Sequence, residues 1–314
     1  MADAKPRDEF RRESCPERLC GPLERCARGE LPPNVALMQL LVEAADPDEA
    51  ETALRVVEDC SGPGSGAATE RLRAARRIWK ANPQAWSVVK AALDGVEHGD
   101  AATTPEEGVA HWAALFDRAA AVSPEASVAL YSLGSAELLD AATDEIVRRM
   151  RAWGLLGPGR DMLDIGCGIG RFVAALAPEI GRVTGIDISR RMIDLARQRC
   201  TGLANVRLLQ CSGRDLAPFA AGSFDLVLAA DAFPYLVQSG AALAERHVHE
   251  AARVLRPGGT LLILNFSYRG DLDADRREVA RLATESGFRV VRDGTRDFAL
   301  WDGASFQLLK EGLP

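Results

Sequence analysis

The 314-residue chain has no uninterrupted apolar run approaching the ~20 residues needed to cross a bilayer, and no apolar segment follows its opening Met-Ala-Asp-Ala-Lys-Pro-Arg. That reading excludes a membrane protein and leads us to expect a soluble, cytoplasmic chain. Positive charge is also short: 38 Lys and Arg stand against 45 Asp and Glu, a formal net charge of −7. The basic residues are scattered among acids, so there is no basic face of the kind a phosphate backbone requires, and nucleic acid is excluded as a partner. Histidine is scarce, at four residues, and the seven cysteines include no C-x-x-C pair. Cys15, Cys20 and Cys26 cluster, but no nearby histidine completes a tetrahedral set, so no metal centre is expected. Cys167, Cys200 and Cys211 fall inside core-forming segments as small buried hydrophobes, and disulfides are not expected.

What is present divides the chain in two. Residues 1–30 are charge-rich and broken by Pro6, Pro16 and Pro22, which suggests a flexible arm, frayed or weakly helical. Asn34 stands as an N-cap before Val35–Val42, and Asp46-Pro47-Asp48-Glu49 opens a second helix. After the loop Ser61-Gly62-Pro63-Gly64-Ser65-Gly66, further helices carry Ile78, Trp79, Trp86, Val88 and Val89 as core candidates. Residues 1–102 therefore read as an all-helical region that ends in the break at 95–102. A helical lead-in, 103–155, follows. Thr104-Pro105-Glu106-Glu107 opens its first helix, with Trp112, Leu115 and Phe116 inward, and Ser123-Pro124-Glu125 opens its second. Ser135 caps a third, in which Leu139, Ala142, Ile146, Met150 and Trp153 recur at helical spacing.

The chemistry gathers in Met162-Leu163-Asp164-Ile165-Gly166-Cys167-Gly168-Ile169-Gly170-Arg171-Phe172. Met162–Ile165 suits a buried parallel strand, and the three glycines allow positive φ and close backbone approach where a Cβ would clash. The helix that follows aims its free N–H groups back over the glycines, and Pro178 ends it early. Arg182–Asp187 reads as the next strand and ends in a carboxylate placed for ribose hydroxyls.

The glycine spacing is D-x-G-x-G-x-G rather than the G-x-G-x-x-G of dinucleotide enzymes. From about Phe116 onward the chain resembles the class I S-adenosylmethionine-dependent methyltransferases of small-molecule type. Leu255-Arg256-Pro257-Gly258-Gly259 before the strand Thr260–Phe266 adds to that resemblance, as do two closing strands at 287–291 and 304–309. The resemblance implies an α/β fold over 103–314, with a doubly wound, mostly parallel, seven-stranded Rossmann-like sheet and an antiparallel closing strand. It implies methyl transfer from S-adenosylmethionine to an O, N or C atom of a small molecule. The cofactor would be held by Asp164, Gly166, Cys167, Gly168, Gly170, Asp187, Ile188, Gly213 and Arg214, with Tyr131 reaching its methionine carboxylate. Gly213-Arg214 departs from the acid more usual at that place. Asp231 and Tyr235 should border the methyl group as the catalytic candidates, whereas His247 and His249 read as surface or packing residues. His111 reaches a substrate only if the lead-in folds over the site, and His98 shares that lead-in. A homodimer through the N-terminal helices is the partner expectation. Two other readings stand beside this one: a cofactor-binding interaction protein without turnover, and a nicotinamide-dependent oxidoreductase, disfavoured by the glycine spacing and the closing strands.

Overall fold

The computed structural model describes residues 15–60, 66–94 and 104–312; the expected loop at 61–65, the break at 95–102 and His98 lie outside them. The chain divides into two compact units. One holds the described residues up to Asp94 with Ala121–Ala142 and Ala299–Asp302, and the other holds Thr104–Ala120, Thr143–Phe298 and the chain from Gly303.

The first unit is helical: α1 (Glu17–Arg28), α2 (Pro33–Glu43), α3 (Pro47–Cys60), α4 (Ala67–Ala81), α5 (Ala85–Leu93), the short α7 (Pro124–Val128) and a 3-10 turn at Leu130–Ser132. Residues 1–14 of the expected arm lie outside the described residues, and over Glu17–Arg28 the helix α1 replaces the expected fraying: Leu19, Leu23 and Cys26 repeat at helical spacing and are buried despite Pro22. Leu19 and Leu23 join Leu37, Leu40, Leu41, Leu54, Val57 and Leu72 in one core. Cys15 and Cys20 are disulfide-bonded, which corrects the expectation of no disulfides, and Cys26 is a buried free thiol. Asn34 is not a cap. Pro32 precedes the first turn of α2, and the buried Asn34 amide instead donates to the carbonyls of Tyr131 (3.2 Å) and Leu300 (2.8 Å). Those bonds tie three chain segments of this unit together, so the residue serves tertiary wiring rather than the helix end.

The second unit is built on a seven-stranded sheet of order β3-β2-β1-β4-β5-β7-β6. The strands are β1 (Gly157–Ile165), β2 (Ile180–Asp187), β3 (Val206–Gln210), β4 (Phe224–Ala230), β5 (Leu255–Leu264), β6 (Phe288–Arg296) and β7 (Ala304–Lys310). All pairings are parallel except those of β7, which enters antiparallel between β5 and β6. Leu226, Val227, Leu228 and Ala229 are fully buried, as expected of a central strand covered on both faces. The intervening helices are α9 (Arg171–Leu176), α10 (Arg190–Arg199), α11 (Phe233–Ser239), α12 (Ala241–Val254) and α13 (Leu272–Glu285). Ser189 and Asp271 accept the capping N–H bonds of α10 and α13. The helix α6 (Pro105–Val122) opens with a capping box, the Thr104 and Glu107 side chains each accepting the other's backbone N–H. The helix α8 (Ala136–Ala152) starts in the first unit and continues in this one.

The strand order reverses between β1 and β4, and in open α/β sheets ligands bind beside the carboxyl ends of the strands at such a point. At the opposite, amino ends, one ion network spans four strands. Arg256 bonds Asp161 (2.8 Å) and Asp225, while Arg182 grips Asp161 with two bonds of 2.7 and 2.9 Å.

Candidate functional site

The turn after β1 is shaped by sterics as much as by dihedral freedom. Gly166 has φ +68°, and a Cβ there would lie 2.8 Å from the Ala232 Cβ; Gly170 has φ +76°, and a Cβ would lie 3.0 Å from the Ala196 Cβ. Any side chain at either position would therefore push the turn off the start of α11 (Phe233–Ser239) or off α10. Cys167 closes the turn, its N–H donating to the Ile186 carbonyl at 2.9 Å, and burial pushes its thiol upward. The helix α9 has only six residues, so Pro178 shortens it as expected.

Two acids lie under this turn. Asp187, at the end of β2, accepts the N–H of Gly168 (2.9 Å) through one oxygen and that of Ser189 (2.8 Å) through the other. It braces the glycine turn and the next helix start at once. Burial pushes its carboxyl up to about 6, against the pull of those N–H bonds. Asp164 is 1% exposed, and its Oδ2 has no hydrogen-bond partner. Burial is the main cause of its rise to about 8; Arg171 opposes the rise and Asp187 adds to it. A buried carboxylate oxygen without a donor costs on the order of 1–3 kcal/mol, and a ligand hydroxyl or ammonium would relieve it.

The third segment brings Gly213 (φ +69°) against Ile188: a Cβ on Gly213 would stand 2.7 Å from the Ile188 Cγ2 and 2.9 Å from the Val109 Cγ1. The exposed Arg214 side chain turns toward Glu106 at 3.9 Å. Asp117 on α6, absent from the sequence-derived candidates, accepts the Ser189 hydroxyl and the Arg191 N–H, latching the lead-in helix to the segment after Asp187.

At the ends of β4 and β5, Asp231 (φ +59°) and Asn265 (φ +69°) both take left-handed backbone, and the Asn265 amide donates to Asp231 Oδ1 at 2.9 Å. Such conformations cost about 1 kcal/mol or more each outside glycine, least for Asp and Asn. Beneath them Phe266 stacks on Phe233 at a ring-centre distance of 5.7 Å and meets Phe306 edge-to-face at 6.2 Å, fixing the platform. The Tyr235 hydroxyl lies 3.4 Å from that of Tyr268. The Tyr268 ring is 48% exposed, yet its hydroxyl turns inward to Asp231 and Tyr235. Burial first, then the Asp231 charge, pushes both tyrosine hydroxyls upward.

The structure thus gathers Asp164, Gly166, Cys167, Gly168, Gly170, Asp187, Ile188 and Gly213 in one unit with Asp231 and Tyr235. Tyr131 lies in the other unit, buried and stacked on Trp301 at 5.9 Å. His247 is buried with Nδ1 at the Leu243 carbonyl, and burial lowers its pKa; His249 makes the same in-helix contact on the exposed side. The His111 ring packs on Trp112. Among the described residues no group of His, Cys, Asp or Glu is placed to hold a metal ion, and no helix is long and apolar enough to cross a membrane.

Comparison with known proteins points the same way. Residues 163–263 match the family model described as a methyltransferase domain. The chain is 38% identical over 110 residues to a demethylmenaquinone methyltransferase of Tropheryma whipplei, covering 35% of this chain and 43% of that one. It is 32% identical over 141 residues to methyltransferase GfsG of Streptomyces halstedii, covering 44% of this chain and 48% of that one. The chain thus spans about half the length of the curated relatives it matches. Among solved structures, phosphoethanolamine N-methyltransferase 1 of Haemonchus contortus, in complex with phosphoethanolamine and S-adenosylhomocysteine, superposes with a TM-score of 0.53 at 17% identity, covering 69% of this chain and 52% of that one. At that identity the likeness is one of fold.

Proposed function

We propose that this chain, whose residues 163–263 form a class I S-adenosylmethionine-dependent methyltransferase domain, transfers a methyl group from that cofactor to a small molecule in the cytoplasm. The observation that carries the reading is the pair of buried acids under the glycine turn, one of them with an oxygen lacking any donor. These residues fit the cofactor. The Asp187 carboxylate has lone pairs left for ribose hydroxyls, Asp164 Oδ2 waits for a donor, and the positive-φ glycines keep side chains off the ligand's path. Ile188 and the Gly213-Arg214 backbone would border the adenine. Tyr131 toward the methionine carboxylate is a role the resemblance implies. When bound, S-adenosylmethionine supplies a methyl carbon made electrophilic by its sulfonium. The chain's part is then to hold donor and acceptor in line, to exclude water with the α6 and α11 aromatics, and to present Asp231 and Tyr235 to the acceptor.

Calorimetric titration with S-adenosylhomocysteine, with NADH as control, tests this reading. Micromolar binding of the former alone is expected; heat with NADH and none with S-adenosylhomocysteine would overturn it. Binding without transfer to any acceptor would favour the interaction-protein reading. An antiparallel β7 between β5 and β6 already weighs against the nicotinamide one.

A further inference from the structure

Four aromatic rings and a carboxylate converge where β4 and β5 end. Tyr235 is their centre, with Trp112 at 4.8 Å, Phe116 at 4.9 Å and Tyr268 at 5.6 Å, each pair close to edge-on. The rings of Trp112, Phe116 and Tyr235 are half-buried. Asp231 precedes Tyr235 by four residues, and its carboxylate is aimed by the Asn265 amide and the Tyr268 hydroxyl. The left-handed backbone at both Asp231 and Asn265 is the strain that aiming requires.

Resting on the methyl-transfer reading, we propose that the acceptor is an amine, held between the Asp231 carboxylate and the rings of Trp112, Phe116, Tyr235 and Tyr268, and that the product leaves as an organic cation. Aromatic faces attract cations, and a carboxylate beside them adds to that attraction. An anionic acceptor such as a phenolate would carry its charge into the same negative surroundings. The tyrosines already register that field, since Asp231 helps to push both hydroxyls upward. The amine gives up its proton to water on the exposed Tyr268 side. Its nitrogen lone pair then forms the new N–C bond as the S–C bond of the sulfonium breaks and leaves its electron pair on sulfur. Positive charge passes from sulfur to nitrogen, and the rings and Asp231 meet it there. The product needs no further proton transfer to depart.

The test uses the full chain saturated with S-adenosylhomocysteine and titrated with choline and with its neutral carbon isostere, 3,3-dimethyl-1-butanol. Choline should bind about tenfold tighter or more, and Asp231→Asn and Tyr235→Leu should each erode that preference at least about threefold while S-adenosylhomocysteine affinity holds. In parallel, label from methyl-tritiated S-adenosylmethionine should enter phenethylamine and not hydroquinone or 2-phenylethanol. Equal binding of the charged and neutral pair, or label in hydroquinone with none in the amine, would overturn the amine proposal and leave methyl transfer standing. Failure of S-adenosylhomocysteine itself to bind would instead remove the reading on which it rests.

Discussion

At the amino ends of β1, β2, β4 and β5, Asp161, Arg182, Asp225 and Arg256 pair among themselves, whereas at the carboxyl ends of β1 and β2 the acids are buried, Asp187 against backbone N–H groups and Asp164 with one oxygen lacking a donor. The same sheet thus carries charges settled for stability at one end and charges held at a cost at the other. Their acidities diverge accordingly: hydrogen bonding from Arg182 holds Asp161 down at about 2, while burial lifts Asp187 to about 6 and Asp164 to about 8. Stored cost of that kind is what a ligand can release, and it supports our placing the proposed working end at the carboxyl ends.

Breaking the working end should have the largest effect. Asp187→Ala removes the acceptor of two backbone N–H groups and of the expected ribose contact, so S-adenosylhomocysteine affinity should fall about 100-fold or more by calorimetry. Retained affinity would remove Asp187 from the site. Breaking the other end should leave binding untouched: Arg256→Ala should lower unfolding free energy by about 1–2 kcal/mol in urea titrations, with S-adenosylhomocysteine affinity within about twofold. The smallest effect carries an unusual sign. Asp164→Asn removes a buried charge, so the ligand-free protein should melt about 3 °C higher at pH 8, with the gain gone near pH 4 and ligand affinity reduced.

That pH dependence follows from the two directions of shift. Asp161 has a folded pKa below its unfolded value of about 4, so its contribution is present above pH ~4 and is lost as pH falls toward 2. Asp187 and Asp164 have folded values above it, so their contribution is full below pH ~4 and is lost as pH rises through about 6 and about 8. Unfolding free energy measured from pH 3 to 9 should therefore fall on both sides. Saturating S-adenosylhomocysteine should restore the alkaline side more than the acid one.

The chain spells out its local chemistry and hides its distant partners. Glycines 166, 168 and 170, the cap Ser123 and the Thr104–Glu107 box were legible because each acts on backbone within a few residues. Asn34 was misread because a polar residue near a helix start looks like a cap, and only folding reveals Tyr131 and Leu300 as its acceptors. The strand β5 starts at Leu255, through a Pro-Gly-Gly phrase that reads as a turn, because Leu255 pairs with Phe224. Asp117, Asn265 and Tyr268 carry no local signal: Asp117 acts on Ser189 across 72 residues, and Asn265 on Asp231 across 34. The glycine turn was thus readable in the sequence, and the proposed acceptor wall only in space.

Hydrogen exchange with and without S-adenosylhomocysteine tests the contrast between the two ends most directly. Protection should rise at the amides of Gly168 and Ser189, through 164–172 and 186–191, and around 212–214, with no change at 157–161 or 254–259. Protection at the amino ends, or none at Gly168 and Ser189, would contradict the account.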